Sequence, residues 1–295
     1  MRNVRVCLFD ERRVGVLASD GSLVDVTSAV PGWSPDPLSG FFVRLCRDFT
    51  DVRPAMERAA VSGPTIRLDE VRLLAPVLNP SKVIAAAMNY AAHRTEMEQR
   101  ADRSNLDWRM EFDVFLKAPS SIIGPQDAVD LPDVGDVEIH HECELAVVIG
   151  AGGSDIAPEH ALEHVLGYTT LIDVTVRGPG DRSRRKSYDT FSPLGPWLVT
   201  PDELPDPQAV DITLTIGGEI RQRVNSRDML VPVADVIAHA SRIMTLVPGD
   251  VICTGAPPGV GPIIAGDVMQ TCLSSIGTMS VPVRARTPAG SELGS

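Results

Sequence analysis

The sequence predicts a β-rich α+β fold. Many short runs of apolar and β-branched residues are separated by turn-forming clusters, and long helical patterns are few. Strands and helices do not alternate as they would in a doubly wound parallel sheet. The chain has 295 residues, 43% of them hydrophobic, which is enough for a sizeable core. We therefore expect one large domain with a smaller one beside it.

The N-terminal part predicts a small antiparallel meander followed by helices. Its strands are expected at Val4–Phe9, Arg13–Leu17 and Leu23–Val26, because polar turn clusters separate these runs. Short helical patterns follow around Phe41–Cys46 and Arg53–Ala60. The stretch from Leu74 to Pro80 contains two prolines and predicts a linker. We place a boundary there, with a small α+β domain over residues 1–75 and a larger domain over residues 76–295.

The larger domain contains mostly strand patterns. A helix is expected at Tyr90–Arg100, an amphipathic helix over Val233–Met244, and a hairpin turn at Gly217-Gly218. The polar end, Pro288–Ser295, is expected to fray. The predicted strands are Val83–Ala86, Asp113–Lys117, Val137–Ile149, Gly167–Val176, Trp197–Val199, Ile212–Ile216, Asp250–Cys253 and, with a turn, Val268–Val283.

The charge balance excludes some partners. There are 27 basic and 39 acidic residues, so the net charge of −12 disfavours nucleic acid and anionic membrane surfaces. No apolar run approaches the roughly 18 residues of a membrane span, and Met1–Val6 has no signal-peptide core. The five cysteines are an odd number without CxxC spacing, which favours reduced thiols and a cytoplasmic location.

Two carboxylates precede an apolar run and predict a cation site. Residues two apart on a strand share a face, so Glu142 and Glu144 would project side by side. Two like charges this close need a cation or a proton between them, and carboxylates favour Mg²⁺, Mn²⁺ or Ca²⁺. An exposed strand face remains the alternative. His140 shares the face of the glutamates and could support or ligate, whereas Cys143 points away, which makes a zinc site less favoured.

Two further patterns are suggestive only in combination. Asp173 interrupts an apolar, β-branched strand and must be paired, bound to a cation or at the strand end. His93 and Glu96 are three apart on a helix, so the carboxylate could orient the imidazole as a general base requires. Capping of the strand and an ordinary surface pair are the respective alternatives.

Two other motifs point elsewhere. The glycines of Gly150–Gly153 resemble a dinucleotide-binding turn, but Asp155 stands where the third glycine would be and would repel a pyrophosphate. The basic run Arg182–Lys186 lacks interleaved aromatic residues, which makes it a poor nucleic-acid patch. It is either a solvated loop or an anion pocket for a carboxylated substrate.

In this order, the segments resemble the fumarylacetoacetate hydrolase superfamily, from about Lys82 to about Val283. Each motif is weak alone, but eight in the same order are specific. The motifs are Asn89-Tyr90-x-x-His93-x-x-Glu96, Phe115-Leu116-Lys117-x-Pro119-Ser120, Glu142-x-Glu144 with the apolar run after it, Asp173-Val174-x-x-Arg177, Lys186–Trp197, Met229-Leu230, Leu246-x-Pro248-Gly249-Asp250-Val251-Ile252 and Thr254-Gly255-x-Pro257-x-Gly259-Val260-Gly261.

The resemblance implies a mixed β-roll catalytic domain, usually a homodimer, that depends on a divalent metal. The implied metal ligands are Glu142, Glu144 and Asp173, for Mg²⁺ or Mn²⁺, with Ca²⁺ as an occupant in crystals. The implied catalytic residues are His93, Glu96 and Lys186. The implied substrate-binding residues are Asn89, Tyr90, Lys117, Arg177, Thr254 and Gly255.

The resemblance also implies a reaction in aromatic-compound catabolism. The expected activity is cleavage of a C–C bond in a 2,4-dioxo acid of the acylpyruvate type, giving pyruvate and a carboxylic acid. A decarboxylase, an isomerase or hydratase of a 2-oxo acid, and a non-catalytic binding relative are the alternatives. The chain departs from the usual pattern at Gly178-Pro179-Gly180, which replaces Asp-x-Gln, and at Ala86-Ala87-Met88, where a glycine is usual.

Overall fold

Strands dominate the structure, as the short apolar runs predict. The structure is a computed structural model that describes residues 4–100 and 112–286. The predicted fraying of Pro288–Ser295 lies outside these residues. The helices described are α1 (Phe41–Arg47), α2 (Phe49–Ser62), α3 (Ala91–Arg100), α4 (Arg182–Lys186) and α5 (Val233–Ile243). None of the described helices is long and apolar enough to cross a membrane.

The strands follow the predicted positions closely, and they are more numerous. In chain order they are β1 (Arg5–Phe9), β2 (Arg13–Leu17), β3 (Leu23–Asp25), β4 (Thr65–Ile66), β5 (Leu73–Leu74), β6 (Val83–Ala87), β7 (Asp113–Lys117), β8 (Ile122–Ile123), β9 (Val129–Leu131), β10 (Ile139–His141), β11 (Cys143–Ile149), β12 (Val165–Ile172), β13 (Thr175–Val176), β14 (Ser192–Val199), β15 (Asp211–Ile216), β16 (Glu219–Asn225), β17 (Val251–Cys253), β18 (Gly261–Pro262), β19 (Val268–Leu273) and β20 (Gly277–Ala285).

One large mixed sheet spans most of the described chain. Its strand order is β4-β3-β2-β1-β14-β12-β11-β17-β6-β7, with β5 beside β1 and β8 beside β14. The predicted N-terminal meander enters this sheet through β1, which pairs with β14 so that Arg5 lies opposite Val199. The same sheet therefore holds the first strands of the chain and the strands that carry the predicted site. An independent domain over residues 1–75 stays a prediction.

Both faces of the large sheet are covered by apolar side chains. On β11, Leu145, Val147 and Ile149 join a core on one face together with α5. Ala146 and Val148 join a second core on the other face, which α1 and α2 cover. The unbroken apolar run of β11 follows from this double burial, because alternate residues of a strand point to opposite faces.

A five-stranded sheet, β16-β15-β19-β20-β9, packs beside the larger one. The hairpin between β15 and β16 turns at Gly217 and Gly218, whose φ angles of 60° and 82° are those of a type I′ turn. This confirms the turn predicted from the sequence. A third, small sheet consists of β13, β10 and β18.

Two predicted strands are interrupted at acidic residues. The strand predicted over Val137–Ile149 was wrong in its continuity, since β10 ends before Glu142 and β11 begins after it, each in a different sheet. The predicted strand Gly167–Val176 divides in the same way at Asp173, where β12 ends. The two segments leave the large sheet at the same point, where the Asp173 N–H donates to the Glu142 carbonyl over 2.7 Å.

Candidate metal and active site

Three buried carboxylates meet where these two strands are interrupted. Antiparallel pairing sets Glu144 opposite Leu171 and Cys143 opposite Ile172, which carries Asp173 to the side of Glu142. Ligand oxygens of Glu142, Glu144 and Asp173 all lie within 4.8 Å of one another. Their convergence agrees with the ligand set that the family resemblance implies. The exposed strand face that the sequence left open is not observed, because all three side chains are buried.

Two lysines lie against these carboxylates. Lys186 Nζ is 2.6 Å from Glu142 Oε2 and 2.5 Å from Asp173 Oδ2, so it bridges two of the predicted ligands. Lys117 Nζ is 2.6 Å from Asp173 Oδ1 and also donates to the Phe191 carbonyl over 3.0 Å. Lys186 belongs to α4, so residues 182–186 form a short helix, capped by the Asp181 side chain, and not the solvated loop that was one of the two alternatives.

Arg177 supplies a third positive charge. Its Nη2 is 2.7 Å from Glu142 Oε1, and its Nε donates to His140 Nδ1 over 2.9 Å. Since Nδ1 accepts this bond, the His140 Nε2–H is left to donate to Glu138 Oε2 at 2.8 Å. His140 therefore supports a ligand through Arg177, which is the supporting alternative that its position on the strand allowed.

The pKa values of Glu142 and Glu144 are shifted in opposite directions. Burial disfavours ionised Glu142, but the positive charges of Lys186 and Arg177 outweigh it and hold the pKa of Glu142 below its usual range. Burial also acts on Glu144, and there the negative charges of Asp173 and Glu142 add to it. The pKa of Glu144 is therefore raised well above its usual value.

The two lysines also respond differently to their surroundings. Burial opposes the charge of Lys186, yet Asp173 and Glu142 outweigh it and raise its pKa. For Lys117 burial is the larger effect, so its pKa is lowered despite the adjacent Asp173. Of the two lysines, Lys186 therefore keeps its positive charge more strongly, beside Glu142 and Asp173.

These residues fit a divalent metal ion. Three cationic side chains already contact Glu142 and Asp173, and Glu144 still keeps a raised pKa with them in place. A dication would offset the burial and the repulsion that raise this pKa, and each carboxylate has lone pairs beyond those its present partners use. A donor set made only of carboxylate oxygens suits Mg²⁺ or Mn²⁺ better than softer metals.

The histidine of the predicted His–Glu dyad is buried, whereas its glutamate is partly exposed. His93 lies in the first turn of α3 with only 5% of its surface exposed, and its Nδ1 is 3.4 Å from Glu96 Oε2. The electrostatic interaction of His93 with Glu142 contributes to the lowered pKa of Glu142, after Lys186 and Arg177. An ordinary surface pair, the alternative reading, does not describe a buried histidine.

The loop over residues 254–260, which follows β17, donates hydrogen bonds both to the carboxylate cluster and to the His–Glu dyad. The Gly255 N–H donates to Glu144 Oε2 over 2.6 Å, and the Gly259 N–H donates to Glu96 Oε2 over 3.2 Å. Gly255 has φ of +101°, and a Cβ there would lie 2.7 Å from Asn89 Cβ. Glycine is therefore required at Gly255 by both conformation and space.

The remaining predicted residues line or brace this region. The Asn89 side-chain amide donates to the Thr254 and Val231 carbonyls over 2.7 and 2.9 Å, and its Oδ1 accepts from the Val231 N–H. The Thr254 hydroxyl donates to the Leu145 carbonyl over 2.9 Å. The buried Tyr90 hydroxyl has no partner among the described residues. Its pKa is raised by burial and by the charge of Glu144.

The departure from the usual glycine near Asn89 has a visible consequence. Met88 adopts φ of +59°, a left-handed conformation that is easiest for glycine. A methionine therefore occupies a backbone conformation that favours glycine. The buried strand β6 ends just before it, at Ala87.

Sequence reasoning missed Gln222, which lies on β16 and is almost fully buried. Its oxygen accepts from the Cys143 N–H, between the two glutamates, and its nitrogen donates to Pro257 in the loop over residues 254–260. A signal was present in the sequence. Ile220, Gln222 and Val224 occupy every second position of a strand, and glutamine is the polar residue among these three.

A fold and a site of this kind define a protein class. A sequence profile described as "Fumarylacetoacetate (FAA) hydrolase C-terminal" matches residues 82–284. This match covers most of the chain and contains all of the candidate site residues. The chain belongs to the fumarylacetoacetate hydrolase family, which confirms the resemblance found in its motifs.

Individual relatives match over nearly their whole length. The chain is 40% identical to a maleylpyruvate hydrolase from Aquipseudomonas alcaligenes over 289 residues, covering 95% of this chain and 99% of that one. It is similar to the crystal structure of maleylpyruvate hydrolase from Sphingobium sp. SYK-6 in complex with manganese(II) and pyruvate, with a TM-score of 0.86, 39% identity and coverage of 96% and 100%.

A relative with another described activity is also similar in structure. This is a probable 2-hydroxyhepta-2,4-diene-1,7-dioate isomerase from Mycobacterium abscessus, with a TM-score of 0.80 and 31% identity. The match covers 97% of this chain and 100% of that one. The fold is thus common to hydrolases and isomerases, and the residues of the site must discriminate between them.

Proposed function

We propose that this protein is a divalent-metal-dependent hydrolase that cleaves an acylpyruvate into pyruvate and a carboxylic acid. The observation that carries the proposal is the convergence of Glu142, Glu144 and Asp173 beside the buried His93. The maleylpyruvate hydrolases described above support it, because maleylpyruvate is an acylpyruvate and one of these proteins was crystallised with manganese(II) and pyruvate. Pyruvate is the product that the proposed reaction requires.

The reaction adds water across a carbon–carbon bond. The water oxygen bonds to C4 of the 2,4-dioxo acid, and the electron pair of the C3–C4 bond leaves with C3 as the enolate of pyruvate. A proton then adds at C3, which yields pyruvate and the carboxylic acid. A divalent cation bound by the three carboxylates would polarise the 2-oxo and carboxylate oxygens of the substrate and so favour the enolate.

His93 and Glu96 move and orient the proton. His93 accepts a proton from the attacking water and can return it to C3, so the side chain ends the cycle as it began. Glu96 faces His93 Nδ1 at 3.4 Å, which directs the other ring nitrogen away from Glu96. This spacing is longer than a strong hydrogen bond, as is common before a substrate binds.

The lysines and the arginine fix the charge of the site. Lys186 joins Glu142 to Asp173, and Lys117 binds the second oxygen of Asp173. These hydrogen bonds fix the orientation of both carboxylates. With a dication added, the site carries a net positive charge that suits a substrate with a carboxylate and a developing enolate. We assign Asn89, Tyr90, Thr254 and Gly255 to the wall of the substrate pocket.

The test is an assay of the purified protein with maleylpyruvate and added Mn²⁺ or Mg²⁺. We expect pyruvate to form in equal amount to the substrate lost, and EDTA to abolish the reaction. Release of carbon dioxide without pyruvate would instead identify a decarboxylase, and a shifted double bond with no cleavage would identify an isomerase. Inertness towards every 2-oxo acid, with or without metal, would favour a binding protein.

Further features of the proposal concern the whole protein. We propose Mg²⁺ as the physiological metal, a homodimer as the working form, and a cytoplasmic location, which the five free cysteines support. Residues 76–295 would form the β-roll catalytic domain and residues 1–75 a small N-terminal domain. Light scattering during size-exclusion chromatography tests the dimer, and activity with each metal tests the preference for Mg²⁺.

A further inference from the structure

One buried carboxamide connects the metal ligands to the loop that supports the dyad. We propose that Gln222 is a positioning residue, which fixes the backbone between Glu142 and Glu144 relative to the loop over residues 254–260. The inference rests on the proposed metal site. The hydrogen bonds described for Gln222 go to His141, Cys143 and Pro257 and not to the side chains of the three proposed ligands, so its effect on the metal would pass through the backbone that it holds.

Gln222 joins three segments through one side chain. Its Oε1 accepts from the Cys143 N–H over 2.9 Å and faces His141 Nδ1 at 3.1 Å. Its Nε2 donates to the Pro257 carbonyl over 3.0 Å. Only 1% of the residue is exposed, so losing these bonds would leave buried polar groups without partners.

The partners dictate which way the carboxamide points. The Cys143 N–H can only donate and must face the amide oxygen, whereas the Pro257 carbonyl can only accept and must face the amide nitrogen. The oxygen then requires a proton on His141 Nδ1. A glutamine is the side chain of this length that can accept on one side and donate on the other.

The peptide group that Gln222 holds is next to a proposed metal ligand. This peptide joins Glu142 to Cys143, and its carbonyl accepts from the Asp173 N–H over 2.7 Å. Its N–H is the one that donates to Gln222. The peptide is therefore fixed from both edges, by the third ligand on one side and by Gln222 on the other.

The other end of the connection is the loop over residues 254–260. Pro257 lies midway between Gly255 and Gly259, whose N–H groups donate to Glu144 and Glu96. The loop also packs closely on the strand of Gln222, because a Cβ on Gly259 would collide with the Arg221 carbonyl. A shift of Pro257 would consequently move the donors that hold one metal ligand and the carboxylate of the dyad.

The direct test replaces Gln222 and measures binding of Mn²⁺ by electron paramagnetic resonance of the free ion. Gln222→Met keeps the length of the side chain and removes its three polar contacts. We expect the Kd for Mn²⁺ to rise by roughly 10–100-fold, the usual effect of removing a group that orients metal ligands. Gln222→Glu keeps the acceptor for Cys143 and loses the donor to Pro257, so we expect it to weaken binding as well.

Gln270→Met is the matched control, because Gln270 is an exposed glutamine on β19 of the same sheet. We expect its Kd for Mn²⁺ to match that of the wild type. Hydrogen exchange gives a readout that needs no metal. In Gln222→Met, peptides that cover residues 254–260 should exchange faster, while peptides from the β19–β20 hairpin should not change.

The outcomes separate this inference from the proposed function. Wild-type protein that fails to bind Mn²⁺ would overturn the metal site itself, and the inference with it. Wild-type binding together with unchanged Mn²⁺ affinity and unchanged loop exchange in Gln222→Met would overturn the role of Gln222 alone. A lower melting temperature with unchanged Mn²⁺ affinity would show that Gln222 only stabilises the fold, which also contradicts the inference.

Discussion

Glu144 differs from the other two carboxylates in its hydrogen-bond donors. Glu142 and Asp173 accept from charged side chains, whereas the donor described for Glu144 is the neutral N–H of Gly255. Burial and the negative charges of Asp173 and Glu142 raise the pKa of Glu144, and the Gly255 N–H does not outweigh them. Of the three ligands, Glu144 therefore gains most from a bound cation.

This difference predicts that Mn²⁺ affinity rises with pH. A raised pKa means that Glu144 keeps its proton to higher pH, and a metal ion must displace that proton in order to bind. Lowering the pH from about 7.5 to about 5.5 should therefore weaken binding, and calorimetry in buffers of different ionisation enthalpy should detect proton release. Glu144→Gln should bind weakly and lack this proton release. Equal release from the variant would show that another group titrates.

The dyad makes a second prediction at the scale of a single residue. His93→Ala should lower kcat by about 10²–10⁴-fold, because the attacking water loses its general base. Binding of Mn²⁺, measured separately, should be nearly unchanged.

A matched control for His93 exists in the chain. His160 and Glu163 form another His–Glu pair three residues apart, at 3.2 Å, but both side chains are largely exposed. His160→Ala should leave kcat unchanged. Near-normal turnover by His93→Ala would remove the base from the proposed mechanism.

At this scale the local patterns predicted that Glu142, Glu144 and Asp173 need compensating charges, but not which residues supply them. Strand alternation places Glu142 and Glu144 on one side, and an Asp within an apolar run must find compensation, so both patterns are local. Lys117 lies 56 residues before Asp173, and no local pattern relates the two. The family resemblance, not the spacing, brought the lysines into the predicted site.

At the scale of elements, the feature that the sequence did not predict is the interruption of two strands. The residues of β10 and β11 read as one strand because their apolar pattern continues through Glu142. At the break the Asp173 N–H donates to the Glu142 carbonyl, a contact between residues 31 apart in the chain that no local pattern predicts. By contrast, α5 and the β15–β16 hairpin were predicted well, since their signals lie within a dozen residues.

The loop after β17 gives a prediction about glycine. Gly255 has φ of +101° and no room for a Cβ, whereas Gly266 has φ of +100° and open space around it. Gly266→Ala should cost about 1–2 kcal/mol for the backbone conformation alone. Gly255→Ala should cost about 1–3 kcal/mol more, because it also crowds Asn89.

Chemical denaturation of both glycine variants measures these costs. Gly255→Ala should also weaken Mn²⁺ binding, since it displaces the N–H that holds Glu144, whereas Gly266→Ala should not. Equal losses of stability in the two variants would mean that the contact with Asn89 relaxes freely.

At the scale of the whole molecule, the proposed metal site lies where the large sheet ends and the small β13-β10-β18 sheet begins. Glu144 lies on β11 of the large sheet, whereas Glu142 and Asp173 lie in the breaks between the two sheets, so a bound ion would brace this junction. The net charge of −12 is a poor guide to this site, because three cationic side chains dominate its surroundings. Global charge excludes partners, and local charge determines which ligand is bound.

Removal of metal should therefore lower the thermal stability of the whole protein. Metal at about 100 times its Kd stabilises the folded state by about 2.7 kcal/mol, which corresponds to a rise in Tm of roughly 4 °C for a chain of 295 residues. Differential scanning calorimetry with Mn²⁺ and with EDTA measures this shift. Asp173→Asn should reduce it, and an identical Tm in the two conditions would contradict a metal that binds the native protein.

The pairing of β1 with β14 has a consequence for the synthesis of the protein. Arg5 and Val199 are 194 residues apart, so the partner of the first strand is made roughly 10–40 s after it at usual translation rates. During this interval the Arg5–Val6 part of β1 presents unpaired N–H and C=O groups that can pair with another chain. Nascent or truncated chains that end before residue 199 are therefore the forms of this protein most exposed to aggregation.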